Sequence, residues 1–200
     1  MEKPLFRAET AKVASRFLRG PIADDLATDS LEFSKPSTAV LKFHGIYQQD
    51  DRDVRKLGPK QFSAMVRVGI PGGLLTPDQY LALDTLADKG DGTLRITTRQ
   101  DIQFHYVLKT NIYEVIHNIN KNLLTTLAAC GDVARNTVCS GPPVERPAGL
   151  QLEPYVQLIG RSLKPKTTAY YDIWINGEKA ASVEEPEDPW KTEPLYGPAY

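Results

Sequence analysis

The spacing of hydrophobic residues is most regular between residues 61 and 140, where it predicts four extended segments. Alternating apolar and polar side chains indicate a first strand at residues 64–70. The same alternation predicts strands at residues 93–97 and 102–108, and a last extended segment at residues 135–139. The positions of the helices between these segments then decide the topology.

Two helices are predicted between these strands. Thr76 and Pro77 are typical of a helix start, and Gly90 is a candidate C-cap for the same helix. Asn111 is a candidate N-cap for the second helix. Spacing predicts the buried face of that helix to be Ile112, Val115, Ile116 and Ile119. The resulting order, β-α-β-β-α-β, is the ferredoxin-like arrangement within the α+β class.

The first 60 residues are predicted to form an irregular N-terminal arm before this ferredoxin-like half-domain at residues 61–140. A short amphipathic helix is predicted at residues 10–18, where Gly20-Pro21 would end it. A loop rich in Ser, Thr, Asp and Pro follows, and a short apolar strand is predicted at residues 39–43.

Residues 141–200 are predicted to be the truncated start of a second α/β domain. A helix is predicted at residues 153–163 and a strand at residues 168–175. Asn176-Gly177 is a turn signal at the end of that strand. The tail, residues 184–200, contains four prolines and no capped element.

Composition narrows the classes of function. The 200 residues carry 24 Lys and Arg against 25 Asp and Glu, a net charge of −1, so a general basic surface for nucleic acid is excluded. No apolar segment approaches the roughly 20 residues that span a bilayer, and the N-terminus lacks a secretory signal. We therefore expect a cytoplasmic protein with no nucleic-acid partner and no membrane. Two cysteines are too few for an iron–sulfur cluster from this chain alone.

Polar side chains on the predicted strands need an explanation. Periodicity places Gln103 and His105 on the face opposite Ile102, Phe104 and Tyr106. The arginines on or beside these strands are Arg67, Arg95, Arg99 and Arg135. Arginine binds carboxylates and oxyanions through paired N–H bonds, so a face of this kind favours a polyanionic ligand. The residues alone leave open a second interpretation, in which these arginines are solvated or form surface ion pairs.

A nucleic-acid module is the alternative from a different functional class, because the RNA-recognition fold has the same order of elements. That fold stacks bases on aromatic side chains of its central strands. Here Phe104 and Tyr106 are predicted on the face opposite Gln103 and His105, and the Gly- and aromatic-rich signature is missing. The sequence therefore disfavours this alternative.

Several segments, in the same order along the chain, resemble the haemoprotein subunits of assimilatory sulfite reductases, in the sirohaem sulfite and nitrite reductase superfamily. The segments that carry the resemblance are residues 17–20, 22–26, 42–53, 67, 70–73, 94–100, 103–105, 132, 135–136, 139, 170–174 and 184–186. The string Lys42-Phe43-His44-Gly45-Ile46-Tyr47-Gln48-Gln49-Asp50-Asp51-Arg52-Asp53 is the most distinctive of them. The resemblance runs over nearly all 200 residues.

The resemblance implies a function and a set of site residues. It implies six-electron reduction of sulfite to sulfide at a sirohaem coupled to a [4Fe–4S] cluster, with a sirohaem nitrite reductase as the nearest alternative. Arg67 and Arg135 match catalytic arginines that hold sulfite at the iron. The residues that match the sirohaem-contacting strands are Arg95, Thr97, Thr98, Arg99, Gln103 and His105. The implied electron donor is an NADPH-dependent flavoprotein subunit or a ferredoxin.

Two features of the family are missing from this chain. The resemblance places the cluster cysteines in two motifs nearer the C-terminus, and neither Cys130 nor Cys139 matches them. It also places a pair of substrate-binding lysines shortly after Tyr200. No metal ligand is therefore expected within this chain, which is interpreted as the N-terminal portion of a longer protein and is expected to be inactive alone.

Overall fold

The computed structural model describes residues 7–51, 54–56, 58–131, 133–140, 152–164, 172–175 and 178–182. The helices are α1 (Arg7–Val13), α2 (Ile22–Leu26), α3 (Lys35–Leu41), α4 (Pro77–Ala87), α5 (Lys109–Lys121) and α6 (Glu153–Ser162). The strands are β1 (Ile46–Asp50), β2 (Phe62–Val68), β3 (Arg95–Ile96), β4 (Ile102–Val107), β5 (Asp172–Ile175) and β6 (Glu178–Ser182). Short 3₁₀ turns lie at Lys42–His44, Val54–Lys56 and Pro71–Gly73.

The main sheet has four antiparallel strands in the order β1-β2-β4-β3. The chain order β2, α4, β3, β4, α5 confirms the ferredoxin-like half-domain in an α+β fold. The edge beside β2 is held by β1, which belongs to the segment predicted as an irregular arm. The sheet therefore begins before residue 61, although the division of the chain into three domains stays a prediction.

The prediction of a fourth strand in the half-domain, at residues 135–139, is wrong. Residues 133–140 contain no strand, because their backbone groups bond to loops and side chains instead of a neighbouring strand. The Thr137 carbonyl accepts from the Gly72 N–H at 2.8 Å, and both backbone groups of Cys139 bond to the side chain of Gln100. Only Thr125, just after α5, forms an isolated bridge with Gly69 at the end of β2.

The hydrophobic core lies between the sheet and helices α4 and α5. Its most completely buried side chains are Val66, Val68, Ile70, Leu83, Phe104, Val107, Val115 and Ile119. The predicted face of α5 is confirmed at Ile112, Val115 and Ile119, whereas Ile116 is only partly buried. The apolar core thus backs one face of the sheet and leaves the other face to polar side chains.

The caps of the two core helices match the sequence only in part. Thr76 and Gln79 form a capping box at the start of α4, which confirms Thr76 as its N-cap. Asn111 is not the N-cap of α5: Leu108 takes that position, and the Asn111 amide donates to the Lys89 carbonyl at 3.1 Å. Gly90 is not a C-cap either. It lies where a Cβ would collide with the carbonyl of His105, so it permits close approach of β4.

Two predictions in the first 45 residues are wrong. The first helix ends at Val13, because Arg16, Phe17 and Leu18 have left-handed φ angles of 50°, 59° and 68° that turn the chain. Residues 39–43, predicted as a strand, belong to α3 and the following 3₁₀ turn. The Ser34 side chain accepts from the Ser37 N–H and starts that helix.

Near the C-terminal end, α6 confirms the helix predicted at residues 153–163. Strand β5 confirms the end of the predicted strand 168–175 and pairs antiparallel with β6. Residues 168–171, the turn at 176–177 and the tail at 184–200 lie outside the described residues. Across the described part of the chain, no helix combines the length and apolar character needed to cross a bilayer.

Candidate functional site

Three polar side chains form a row across the sheet face that the helices leave open. Arg67 on β2 and Arg95 on β3 are each in register with Gln103, which lies on β4 between them. Residues directly opposite on neighbouring antiparallel strands project from the same face. Strand register thus brings together three of the site residues predicted from sequence, and we call them the sheet-face row.

Gln103 fixes the orientation of Arg67. With its amide turned so that both neighbours are satisfied, the Gln103 oxygen accepts from Arg67 Nη2 at 2.5 Å and Nε at 2.7 Å. Its nitrogen then donates to His105 Nε2 at 3.2 Å. Arg67 Nη1 also donates to the Ala129 carbonyl at 3.0 Å. The guanidinium of Arg67 is therefore held from two sides before any ligand arrives.

His105 lies half-buried next to this row. Burial lowers its pKa, and the charges of Arg95 and Arg67 lower it further, while Asp91 opposes them. Arg95 forms an ion pair with Asp91 at 3.1 Å, half-exposed. Deprotonation of His105 makes one ring nitrogen an acceptor, which suits the hydrogen bond from Gln103.

Tyr106 departs from the predicted alternation. Phe104 is buried as predicted, but Tyr106 is 47% exposed and has a left-handed φ of 57°. The pairing of β2 and β4 shifts here, because Ala64 lies opposite Val107 and Val66 opposite Phe104. An extra residue in β4 therefore turns Tyr106 out of the core and returns Val107 to it.

Arg99 and Arg135 lie together at a second place, a cavity of about 480 Å³ beyond the end of β2. Gly131, Val133, Ala134 and Asn136 complete its lining. Arg135 Nε donates to the Gly131 carbonyl at 3.2 Å. The predicted residues thus fall into two groups, the sheet-face row and this two-arginine cavity, which adjoin through the loop at residues 129–131.

Side-chain amides attach the segment bearing Arg135 to the turn before β4. The Asn136 amide donates to the carbonyls of Ile70 and Arg99, both at 2.8 Å. Gln100 donates to the Cys139 carbonyl at 2.8 Å and accepts from its N–H at 3.1 Å. These bonds fix the distance between the backbones that carry the two arginines of the cavity.

The two predicted threonines have different surroundings. Thr97 Oγ1 accepts from the N–H groups of Arg99 and Asp101, each at 3.2 Å, so it shapes the turn that carries Arg99. Thr98 is exposed on the same turn. Thr97 therefore supports the site by holding the backbone of the turn that carries Arg99.

Comparison with known proteins identifies one segment of the chain. Residues 58–122 match the model of the nitrite/sulfite reductase ferredoxin-like half domain. The chain carries a half domain of the nitrite and sulfite reductase family. This half domain begins just before β2 and ends one residue after α5, so it contains the whole sheet-face row.

Proteins that match nearly the whole length of the chain are named as sulfite reductases. Two of them are called sulfite reductase [NADPH] hemoprotein beta-component: the Staphylococcus haemolyticus protein is 43% identical over 100% of this chain, and the Myxococcus xanthus protein 44% over 99%. The chain spans 35% of the length of each. The solved structure of the Mycobacterium tuberculosis NirA protein superposes with a TM-score of 0.61 and 26% identity, covering 80% of this chain and 32% of that one.

Two charged residues, one inside the half domain and one beyond it, were not among the predicted site residues. Asp101 is fully buried: Oδ1 accepts from the Ile70 N–H at 3.2 Å, and Oδ2 has no hydrogen-bond partner among the described residues. Burial raises the pKa of Asp101 to about 6, although Arg67, Lys164 and Arg99 oppose the rise. Lys164 donates to the Leu127 carbonyl at 2.6 Å. Single polar residues in loops carry no periodic signal, which is why both were missed.

Proposed function

We propose that this chain is the N-terminal part of an assimilatory sulfite reductase haemoprotein and forms part of its sirohaem and sulfite site. The sheet-face row carries the proposal, because Arg67 is held by Gln103 and by a backbone carbonyl on an otherwise open face. The names of relatives about 43% identical over the whole chain support the sulfite assignment.

The donor set of the chain fits the proposed cofactor. Sirohaem carries eight carboxylates, by the family resemblance, and its binding site needs cations that stay charged in a partly dry environment. Arg95, Arg99 and His105 lie on the open sheet face or its adjoining turn, and Thr98 is exposed nearby. When bound, sirohaem supplies the iron and the conjugated ring through which electrons reach the substrate. The ring carboxylates are proposed to bind Arg95 and Arg99, with Thr97 shaping the turn that presents them.

Arg67 is suited to hold a small oxyanion. Its Nε and one Nη2 N–H bond go to Gln103, and one Nη1 N–H bond goes to Ala129. No described residue takes a second N–H bond on either Nη atom, and two such N–H bonds can bind an oxyanion through two oxygens. Arg67 is therefore proposed to bind sulfite and polarise its S–O bonds, with Arg135 binding a further oxygen from the loop side.

The remaining parts of the enzyme lie elsewhere in the full protein. The [4Fe–4S] cluster is proposed to use cysteines outside this chain, and its electrons to come from an NADPH-dependent flavoprotein or a ferredoxin. The names of the relatives include NADPH, which favours the flavoprotein as the electron donor.

The test uses the full-length protein produced with sirohaem synthesis active. We expect a Soret band together with an intense red band, and sulfite turnover with a reduced electron donor.

Arg67→Gln should lower kcat/KM for sulfite by roughly 100-fold, the scale of losing one charged donor at a developing charge. Arg161→Gln, at an exposed arginine in α6, is the matched control and should keep wild-type turnover. A folded, colourless protein that binds no iron would overturn the proposal.

Nitrite reduction is the second candidate, because the matched family model covers both nitrite and sulfite reductases. The ratio of kcat/KM for the two anions, measured on one preparation, separates them. A higher value for sulfite supports the assignment made here, and a higher value for nitrite would reverse it.

A further inference from the structure

Three cationic side chains bond to alternate carbonyls of one short loop. Lys164 Nζ donates to the carbonyl of Leu127 at 2.6 Å, Arg67 Nη1 to that of Ala129 at 3.0 Å, and Arg135 Nε to that of Gly131 at 3.2 Å. These cations come from three separate parts of the chain: β2, the segment after the loop, and the end of α6. We call residues 127–131 the carbonyl loop.

The carbonyl loop is held in place from the opposite side. The Ala128 N–H donates to the Phe43 carbonyl at 2.7 Å, and Ala128 has a left-handed φ of 59°. Gly131 has a φ of 102° and lies where a Cβ would stand 3.0 Å from the Phe43 ring. The Leu127 N–H donates to Thr125 Oγ1 at 3.1 Å. Since residues 126–130 are buried, the carbonyls are fixed partners for the three cations.

Lys164 occupies the space above Gly69 at the end of β2. Its Nζ lies 3.1 Å from the position of a Cβ on Gly69, and the Arg135 carbonyl lies 3.8 Å from the same point. The Gln157 amide donates to the Pro71 carbonyl at 3.0 Å, which ties α6 to the turn after β2. The ammonium group of Lys164 thus lies beside Gly69, which is two residues beyond Arg67, and close to the backbone of Arg135.

Among the described residues, cations outnumber buried acids around the carbonyl loop. Asp101 is the buried acid that interacts electrostatically with Arg67, Lys164 and Arg99. Burial lowers the pKa of Lys164, and the charge of Asp101 opposes that shift. One buried carboxyl beside several cations leaves a positive excess, which an anionic ligand would neutralise.

We propose that Lys164 is a third cation of the anion site formed by Arg67 and Arg135, and that the carbonyl loop positions all three for an oxyanion. The ligand chemistry is a sulfite-like oxyanion or a carboxylate of the cofactor. The inference rests on the proposed function for the identity of the ligand, while the grouping of the three cations rests on the hydrogen bonds alone.

The decisive variant is Lys164→Gln in the full-length protein. Glutamine keeps an N–H that can donate to Leu127 but removes the charge, so a purely structural role predicts no effect on anion binding. We expect the dissociation constant for sulfite, measured by calorimetry on the protein as purified, to rise by about 10-fold, on the scale of one charge-assisted hydrogen bond. Lys164→Arg should restore most of the affinity. Lys121→Gln, at an exposed lysine ending α5, is the matched control.

Two readouts on the same preparations separate the sources of the anion. A raised KM for sulfite with unchanged sirohaem absorbance assigns Lys164 to the substrate, whereas a lower sirohaem content at unchanged thermal stability assigns it to a cofactor carboxylate. Wild-type affinity, KM and cofactor content in Lys164→Gln would overturn the inference. A wild-type protein that binds sulfite in a Lys164-dependent way without reducing it would leave the inference standing and remove the proposed function.

Discussion

The sheet-face row and the cluster around the carbonyl loop present arginines to the same part of the molecule but are built differently. In the row, strand register alone brings Arg67, Gln103 and Arg95 together. Around the loop, Lys164 and Arg135 meet through side chain-to-backbone bonds. A regular element positions a cation through its repeat, whereas a loop needs a separate hydrogen bond for each cation. The loop region should therefore be more sensitive to single substitutions.

The largest effect is expected where the two regions touch, at Gly45. It has a left-handed φ of 72°, and a Cβ there would clash with the carbonyl of Thr126 and lie 2.8 Å from that of Arg67. Gly45→Ala combines a left-handed penalty of roughly 1–2 kcal/mol with overpacking of about 1–3 kcal/mol. We expect a loss of about 2–5 kcal/mol in the free energy of unfolding, measured by urea denaturation.

The control for this substitution is Gly58→Ala. No described residue lies within 4 Å of a Cβ at Gly58, so the stability of this variant should change by less than about 0.5 kcal/mol. Equal losses in the two variants would mean that the junction between row and loop does not bear on stability.

The sequence predicted the row better than the loop, and the reason is physical. A period of two in residues 102–105 determines which side chains share a face, so Gln103 and His105 were placed with no knowledge of tertiary contacts. No such period exists for Lys164, because its partner carbonyl lies 37 residues away in the chain. The same limit explains the wrong strand at residues 135–139, whose backbone partners are the side chain of Gln100 and the loop at Gly72.

The N-terminal arm shows a further limit of predicting secondary structure from the pattern of apolar residues. Residues 39–43 are apolar enough for a strand, yet the Ser34 cap and the burial of Val40 and Leu41 make residues 35–41 a helix. Short apolar runs fit either element, and only packing decides between them. Residues 46–50 pair with β2 although polar side chains outnumber apolar ones in that segment.

The second largest effect concerns Asp101 and pH. Its pKa is about 6 in the folded protein against an ordinary value of 3.8, so the native state binds more protons between these values. Stability must then fall as pH rises through this window, by about 3 kcal/mol in total. Asp101→Asn removes this fall, so its stability advantage over the wild type should grow from near pH 4 to pH 7.5, measured by urea denaturation at several pH values.

The control is Asp84→Asn at an exposed position of α4. Its curve of stability against pH should run parallel to that of the wild type. An Asp101→Asn curve that is also parallel would show that the buried carboxyl does not titrate in this window, and would weaken the charge argument for the loop region.

The third prediction compares one amide from each region. Asn136→Ala removes the two hydrogen bonds that attach the Arg135 segment to Ile70 and Arg99, at a cost of about 2 kcal/mol. Gln103→Ala leaves the backbone pairing of β4 intact. It removes the bonds to Arg67 and His105, but these side chains are only partly buried and water can replace the lost partner, so the change should cost no more than about 1 kcal/mol. Urea denaturation of both variants gives the two losses in the free energy of unfolding. A larger loss for Gln103→Ala would contradict the view that the loop region is the more sensitive one.

The smallest effect tests electrostatic contact within the row without disturbing the hydrogen bonds of Gln103. Burial lowers the pKa of His105 most, and Arg95 is the next cause, so Arg95→Gln should raise that pKa. Arg95 is half-exposed and its ion pair with Asp91 lies at the surface, so the fold should not change. The His105 ring proton resonances, followed by NMR against pH, report the shift directly. Arg135→Gln is the comparison, because Arg135 is not among the groups that act on the pKa of His105. A shift of equal size in that variant would mean that the row and the loop region form one electrostatic unit, and that their separation by backbone geometry does not extend to their charges.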